Sequence, residues 1–229
     1  MKLKLIFCLA ILLAAACSKS DDENASPVGE WCDPSTGNFI NQFITEPEKL
    51  VLEYINGNAN CSPRIKMTLW NSQSVGYASP DTSQFALYKK YAAFYGDTAY
   101  HDVHILGANN ALASPLSSIS LQSDTNIDEG HQSGTPLNDL FLISYPRYYQ
   151  YIKNGYKPQK WYNSCLLDSI SELSTFKDEY LFEVEESFLI FKQQPAPGKY
   201  TFTVTLDFGE DPLTGEKVTV PPASIEIEF

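Results

Sequence analysis

The chain of 229 residues is acidic, with 28 Asp and Glu against 16 Lys and Arg and a formal net charge of −12. That balance argues against nucleic acid or anionic headgroups as partners of the body and leaves room only for a local basic site. With 43 % hydrophobic and 13 % aromatic residues, it has apolar side chains enough for a sizeable core, in one large β domain or two smaller ones.

Lys2 and Lys4 precede an apolar run over 5–13 and the small residues Ala14, Ala15 and Ala16, which is the plan of an export signal. The run is too short to span a bilayer as a stable helix. Cys17 follows directly. The stretch resembles the lipobox of bacterial lipoproteins, with Ala14 standing where Leu is usual. The resemblance implies that Cys17 is acylated and becomes the first mature residue. Asp21, Asp22 and Glu23 then make an acidic cluster beside the anchor, similar to the export signal of Bacteroidota surface lipoproteins. This implies a lipid-anchored protein of the outer membrane, displayed at the cell surface. The periplasmic face is the alternative, with the acidic stretch serving only as a solvated tether.

Loss of the signal peptide at 1–16 removes Lys2 and Lys4 and takes the net charge from −12 to −14. Residues 17–30 are polar and read as a lipidated flexible tether. The β-sandwich domain is expected over 31–229, with two smaller β domains splitting near 115 as the alternative. Cys32, Cys61 and Cys165 remain for an oxidising compartment. Three cannot all pair internally, and the turn settings of Cys32 and Cys61 make them the candidate disulfide. Such a loop would stabilise by roughly 3 kcal/mol in the chain-entropy model.

Residues 49–55 and 64–70 alternate in period two about Asn56-Gly57-Asn58, as two antiparallel strands would. A helix is expected where Phe85, Tyr88, Ala92 and Tyr95 recur at helical spacing, started by Asp81 or Ser83 and ended by Gly96. Short strands are expected at 102–106, 118–122, 140–144 and 180–191, and a weaker helix at 166–174. At the C-terminus Phe202, Val204, Leu206 and Phe208 face one way, against Thr201, Thr203, Thr205 and Asp207. A reversal over 209–215, a return over 217–220, a break at Pro221-Pro222 and a last alternation through Ile225, Ile227 and Phe229 complete a hairpin. Proline has no donor, so the break belongs outside a central ladder. Residues 197–229 resemble the closing strands of bacterial immunoglobulin-like sandwiches. The fold class is therefore all-β: an antiparallel immunoglobulin-like β-sandwich with one or two short helical insertions.

Few motifs carry chemistry. His101 and His104 lie three apart in an extended-looking segment, where they point to opposite faces, with Asp97 upstream and His131 further on. Asp124, Asn126 and Asp128 space oxygen ligands like the start of an EF-hand loop, but the glycine falls one place late and Thr135 stands where a bidentate Glu belongs. The trio is kept as a candidate Ca2+ site, and no other cofactor is expected. Nucleophile elbows, zinc-protease helices and phosphate loops are absent from the sequence. Glu183, Glu185 and Glu186 read as the wet face of a strand.

The segment 145–162 stands apart, with six Tyr, Trp161, Arg147 and three Lys and no acid. Flat rings with polar edges beside cations favour sugars or protein surfaces. Arg147, Tyr148, Tyr149, Tyr151, Lys153, Tyr156 and Trp161 are the candidate ligand contacts, with two or three of the rings expected to be exposed and the others packed. The expected function is non-catalytic binding of a glycan or protein at the cell surface, with the membrane reached through the lipid and no nucleic-acid partner. An assembly subunit of a surface uptake or adhesion complex is the structural alternative, and a hydrolase the third.

Overall fold

The computed structural model describes residues 38–58, 62–100, 110–145, 148–157, 166–169 and 187–229, with backbone alone at 71–72, 150 and 166–169. These residues belong to one compact unit, Asp33–Phe229. In chain order the elements are β1 (Gln42–Ile55), β2 (Arg64–Gly76), α1 (Thr82–Tyr95), β3 (Asn110–Leu112), β4 (Leu116–Ser123), β5 (Phe141–Tyr145), α2 (Tyr148–Lys153), β6 (Leu166–Ser169), β7 (Ser187–Phe191), β8 (Lys199–Glu210), β9 (Lys217–Thr219) and β10 (Ala223–Glu228).

The first hairpin pairs as its alternation predicts, antiparallel from Lys49 opposite Trp70 to Ile55 opposite Arg64. Both strands run further than the alternation shows. Register shifts between Ile44 and Lys49 surround Pro47, which has no N–H to give the ladder, so the strand continues through an irregularity that hides its period. The hairpin lies inside a six-stranded sheet ordered β3-β1-β2-β7-β5-β6. All its pairs are antiparallel except β1 with β3. The second sheet is ordered β10-β8-β4, and β9 also pairs with β8.

Period two decides what faces inward. In β8 Phe202, Val204, Leu206 and Phe208 are buried, while Thr205 and Asp207 are exposed. They meet Ile65, Met67 and Leu69 of β2, Ile143 of β5 and Leu189 of β7 in one core between the sheets, so the protein is an all-β sandwich carrying two short helices. Each such side chain contributes roughly 1.5–3 kcal/mol on burial. Pro221 and Pro222 fall between β9 and β10, which occupy successive stretches along β8, so no ladder loses a donor there. The free edge of β4 is covered by its own downstream loop: Leu137 N–H donates to Leu121 O at 2.8 Å and Gly134 N–H to Ser123 O at 2.8 Å. That blunts an edge otherwise open to strand addition.

Helix α1 starts where Asp81 accepts from Ser83 N–H and stops at Gly96, whose φ of 75° is the left-handed conformation glycine permits. Its buried face is Tyr88, Tyr91, Ala92 and Tyr95, with Phe85 half-buried. Under it lies a second core of Phe39, Ile40, Phe43, Val75 and the α2 residues Tyr148, Tyr151 and Ile152.

One expectation is corrected. Residues 166–169, expected to open a helix, form β6, paired with β5 from Tyr145 opposite Leu166 to Leu142 opposite Ser169. Four residues carry no usable period, so strand pairing decides the conformation. The expected strand at 102–106, the rest of 166–174 and the first part of 180–191 lie outside the described residues.

Candidate binding site

The tyrosine-rich segment divides into packing and surface. Tyr148 and Tyr151 are buried, each edge-on to Phe39 with ring centroids 5.2 and 4.9 Å away, so they fall in the packed share. Tyr149 is half-buried, and the exposed Lys153 sets its ammonium 5.0 Å from that ring. Past α2 the chain turns through Gly155 and Tyr156, at φ 68° and 57°, and Tyr156 N–H donates back to Tyr151 O at 3.0 Å. A left-handed Tyr is uncommon and costs energy. It is held by its hydroxyl, which donates to Asp97 Oδ1 at 2.9 Å. Arg147 and Trp161 lie outside the described residues.

Asp97, which the sequence offered only as a neighbour of His101, is fully buried. Its carboxylate also accepts Phe39 N–H at 2.7 Å and Ile40 N–H at 2.8 Å. The Asn38 amide donates to the Asp97 carbonyl, and Lys89 Nζ donates to Asn38 Oδ1 at 2.6 Å. Burial pushes the Asp97 pKa up, against the downward pull of these donors and of Lys89. These contacts tie the chain before β1 to the end of α1 and to Tyr156. The sequence signal was a lone Asp just after the left-handed glycine that ends a helix.

The candidate Ca2+ trio is stitched into its own loop and to β8. Asp124 Oδ1 accepts Thr201 N–H at 2.9 Å, Asn126 Oδ1 accepts Ser133 N–H at 2.8 Å, and Asp128 Oδ1 accepts Gly130 N–H at 2.8 Å. His131 stands between Asp128 and Asp139, its ring nitrogens 2.8 and 3.0 Å from them, and hydrogen bonds to Asp139 and then Asp128 raise its pKa. Among the described residues no group of three or more His, Cys, Asp or Glu is arranged to hold a metal ion. Cys17, Cys32, Cys61, His101, His104 and Glu183, Glu185 and Glu186 lie outside the described residues.

Among the described residues the large exposed rings are elsewhere. Trp70 is 58 % exposed and Phe94, on α1, 50 %. Trp70 points away from the sandwich core because Ile65, Met67 and Leu69 take the inward positions of β2. Lys49, its cross-strand partner, holds its ammonium 5.2 Å from the indole centroid. Val51, 37 % exposed, stands two residues along β1 on the same face. Thr68, Lys66 and Arg64 continue the row on β2, with the Arg64 guanidinium 5.1 Å from the Phe188 ring. This surface was readable in outline, since it is the complementary face of the alternation at 64–70.

The class defined by this geometry is an antiparallel β-sandwich with an aromatic, cation-bearing outer sheet face. Comparison with known proteins finds no matching family model, no matching curated protein and no matching solved structure.

Proposed function

We propose that this protein is an outer-membrane lipoprotein, anchored through Cys17, that binds a glycan or protein partner at the cell surface without chemistry. The observation that carries the reading is the exposed Trp70 ring paired with Lys49 on the outer face of the six-stranded sheet. A large ring held on a paired strand keeps its position at little entropic cost, as a contact residue should. Tyr149 with Lys153 is a second ring and cation pair, from the tyrosine-rich segment 145–162. The anchor suits display: several acyl chains, at about 0.8 kcal/mol per buried CH2, hold a protein firmly to a bilayer.

The test is a glycan array probed with the full chain carrying Cys17→Ser. Binding that is lost on Trp70→Ala and kept on Tyr149→Ala supports the sheet face. The opposite pattern returns the site to α2, and binding that survives both substitutions contradicts both. In cells, Cys17→Ser should move the protein from the membrane to the soluble fraction. Unchanged fractionation would remove the anchor from the account.

A further inference from the structure

We infer that the outer face around Trp70 selects an anionic glycan, one whose sugar rings bear carboxylate or sulfate groups. This rests on the binding-module reading and narrows it. The register lays the outward side chains in rows: Lys49 with Trp70, Val51 with Thr68, Glu53 with Lys66 and Phe188, and Ile55 with Arg64 and Ile190. In these rows Lys49, Lys66 and Arg64 are cationic and Glu53 is acidic, in a chain with 28 acidic and 16 basic residues. These rows are therefore net positive in an acidic chain. Glu46 and Glu48, exposed on β1 beyond Lys49, bound the patch at that end.

Charge alone would suit any polyanion, and the ring narrows the choice. Trp70 offers a flat apolar face on which the C–H face of a sugar can stack. Lys49 sits over the same indole in a solvent-exposed, weak cation–π contact, so the ammonium can turn to an incoming carboxylate or sulfate at little cost. Lys66 lies four residues along β2, about 13 Å away at strand rise, which fits an extended chain of sugars better than a single one. Trp70 and Val51 are the exposed large hydrophobics described on this face. Ile55, Phe188 and Ile190 in the same rows are half-buried, so little further apolar area is open to a protein interface, which needs on the order of 1,200–2,000 Å2 with a buried apolar centre.

The experiment is affinity electrophoresis of the full-length protein in detergent, through native gels containing polygalacturonate, dextran sulfate, neutral dextran or duplex DNA. Retardation by polygalacturonate or dextran sulfate is expected, and by dextran it is not; which polyanion is stronger separates a carboxylate from a sulfate ligand. Trp70→Ala and the double variant Lys49→Glu with Lys66→Glu should each weaken retardation at least tenfold. Lys90→Glu with Lys217→Glu, an equal charge change at exposed positions elsewhere, should leave it unchanged. Thermal melts matching wild type confirm that the variants fold. Equal binding of neutral dextran, lost on Trp70→Ala, overturns the anionic selectivity and leaves the binding-module reading standing. Retardation by DNA through the same residues, or equal damage from the control pair, overturns the glycan assignment. Silence with every polymer overturns the inference, and silence on the glycan array as well removes the reading beneath it.

Discussion

The core between the sheets and the core beneath α1 bury aromatic rings by different means. Between the sheets Phe141, Phe191 and Phe202 meet at centroid distances of 4.4 and 5.5 Å among aliphatic neighbours, and most of what they need is volume. Beneath α1 the rings are chiefly tyrosines, and those buried on α1 itself have acceptors for their hydroxyls. Tyr88 donates to Ile40 O at 2.7 Å, Tyr91 to Asp211 Oδ2 at 2.6 Å and Tyr95 to Ala113 O at 2.5 Å. Burial pushes the Tyr88 and Tyr91 phenol pKa values upward, so both stay protonated and remain donors. A core of the first kind tolerates volume-conserving exchange. One of the second kind depends on where each polar atom falls, because a buried acceptor left without its donor costs about 1–3 kcal/mol. The difference teaches that clustered tyrosines are no sign of a binding surface when, as on α1, their hydroxyls are spent on backbone and carboxylate partners.

The comparison is broken most severely at Asp97. Asp97→Ala strands Phe39 N–H, Ile40 N–H and the Tyr156 hydroxyl together. It should cost on the order of 4 kcal/mol in a denaturant titration. Leu206→Ala, in the core between the sheets, should cost about 2–5 kcal/mol by loss of transfer energy and creation of a cavity. Tyr88→Phe or Tyr95→Phe should cost about 1–3 kcal/mol, although the ring stays in place. Cost-free Tyr→Phe exchange would erase the distinction between the two cores.

A pH series sharpens the same contrast. Asp97 has its pKa raised by burial, so above the ordinary carboxylate range the folded protein holds a proton that the unfolded chain has released. Its contribution to stability is therefore complete at low pH and is lost as pH rises through the raised pKa. Asp124, Asp128 and Asp139, lowered by their hydrogen bonds, act in the opposite sense and lose their contribution as pH falls. The difference between wild type and Asp97→Asn, followed from about pH 4 to pH 7, isolates the buried group: wild type should lose ground to the variant as pH rises. A constant difference would mean that Asp97 keeps its ordinary pKa. Smallest of all, Glu226→Ala removes an exposed ion pair with Lys199, and its unfolding midpoint should match wild type.

Much of the fold was legible because it is local. The β8 alternation needs only neighbours two apart, and α1 carries its own start at Asp81 and stop at Gly96. The first part of β1 was hidden by Pro47, and β6 by its four-residue length. The candidate site was less legible, because it depends on distant pairings. The inward turn of Tyr148 and Tyr151 depends on Phe39, and the left-handed Tyr156 on Asp97, both far away in sequence. Composition marks 145–162 as rich in rings and cations but does not say which side of a core they take. Trp70 was within reach, since parity with Leu69 already puts it on the outer face.

Hydroxyl-radical footprinting with mass spectrometry reads ring accessibility one residue at a time, and it tests the division between packed tyrosines and the exposed sheet face most directly. The account predicts rapid oxidation of Trp70 and Phe94, with Tyr88, Tyr91, Tyr95, Tyr148 and Tyr151 protected until the protein unfolds. Oxidation of Tyr148 and Tyr151 as fast as that of Trp70 would contradict it and return the binding surface to the tyrosine-rich segment.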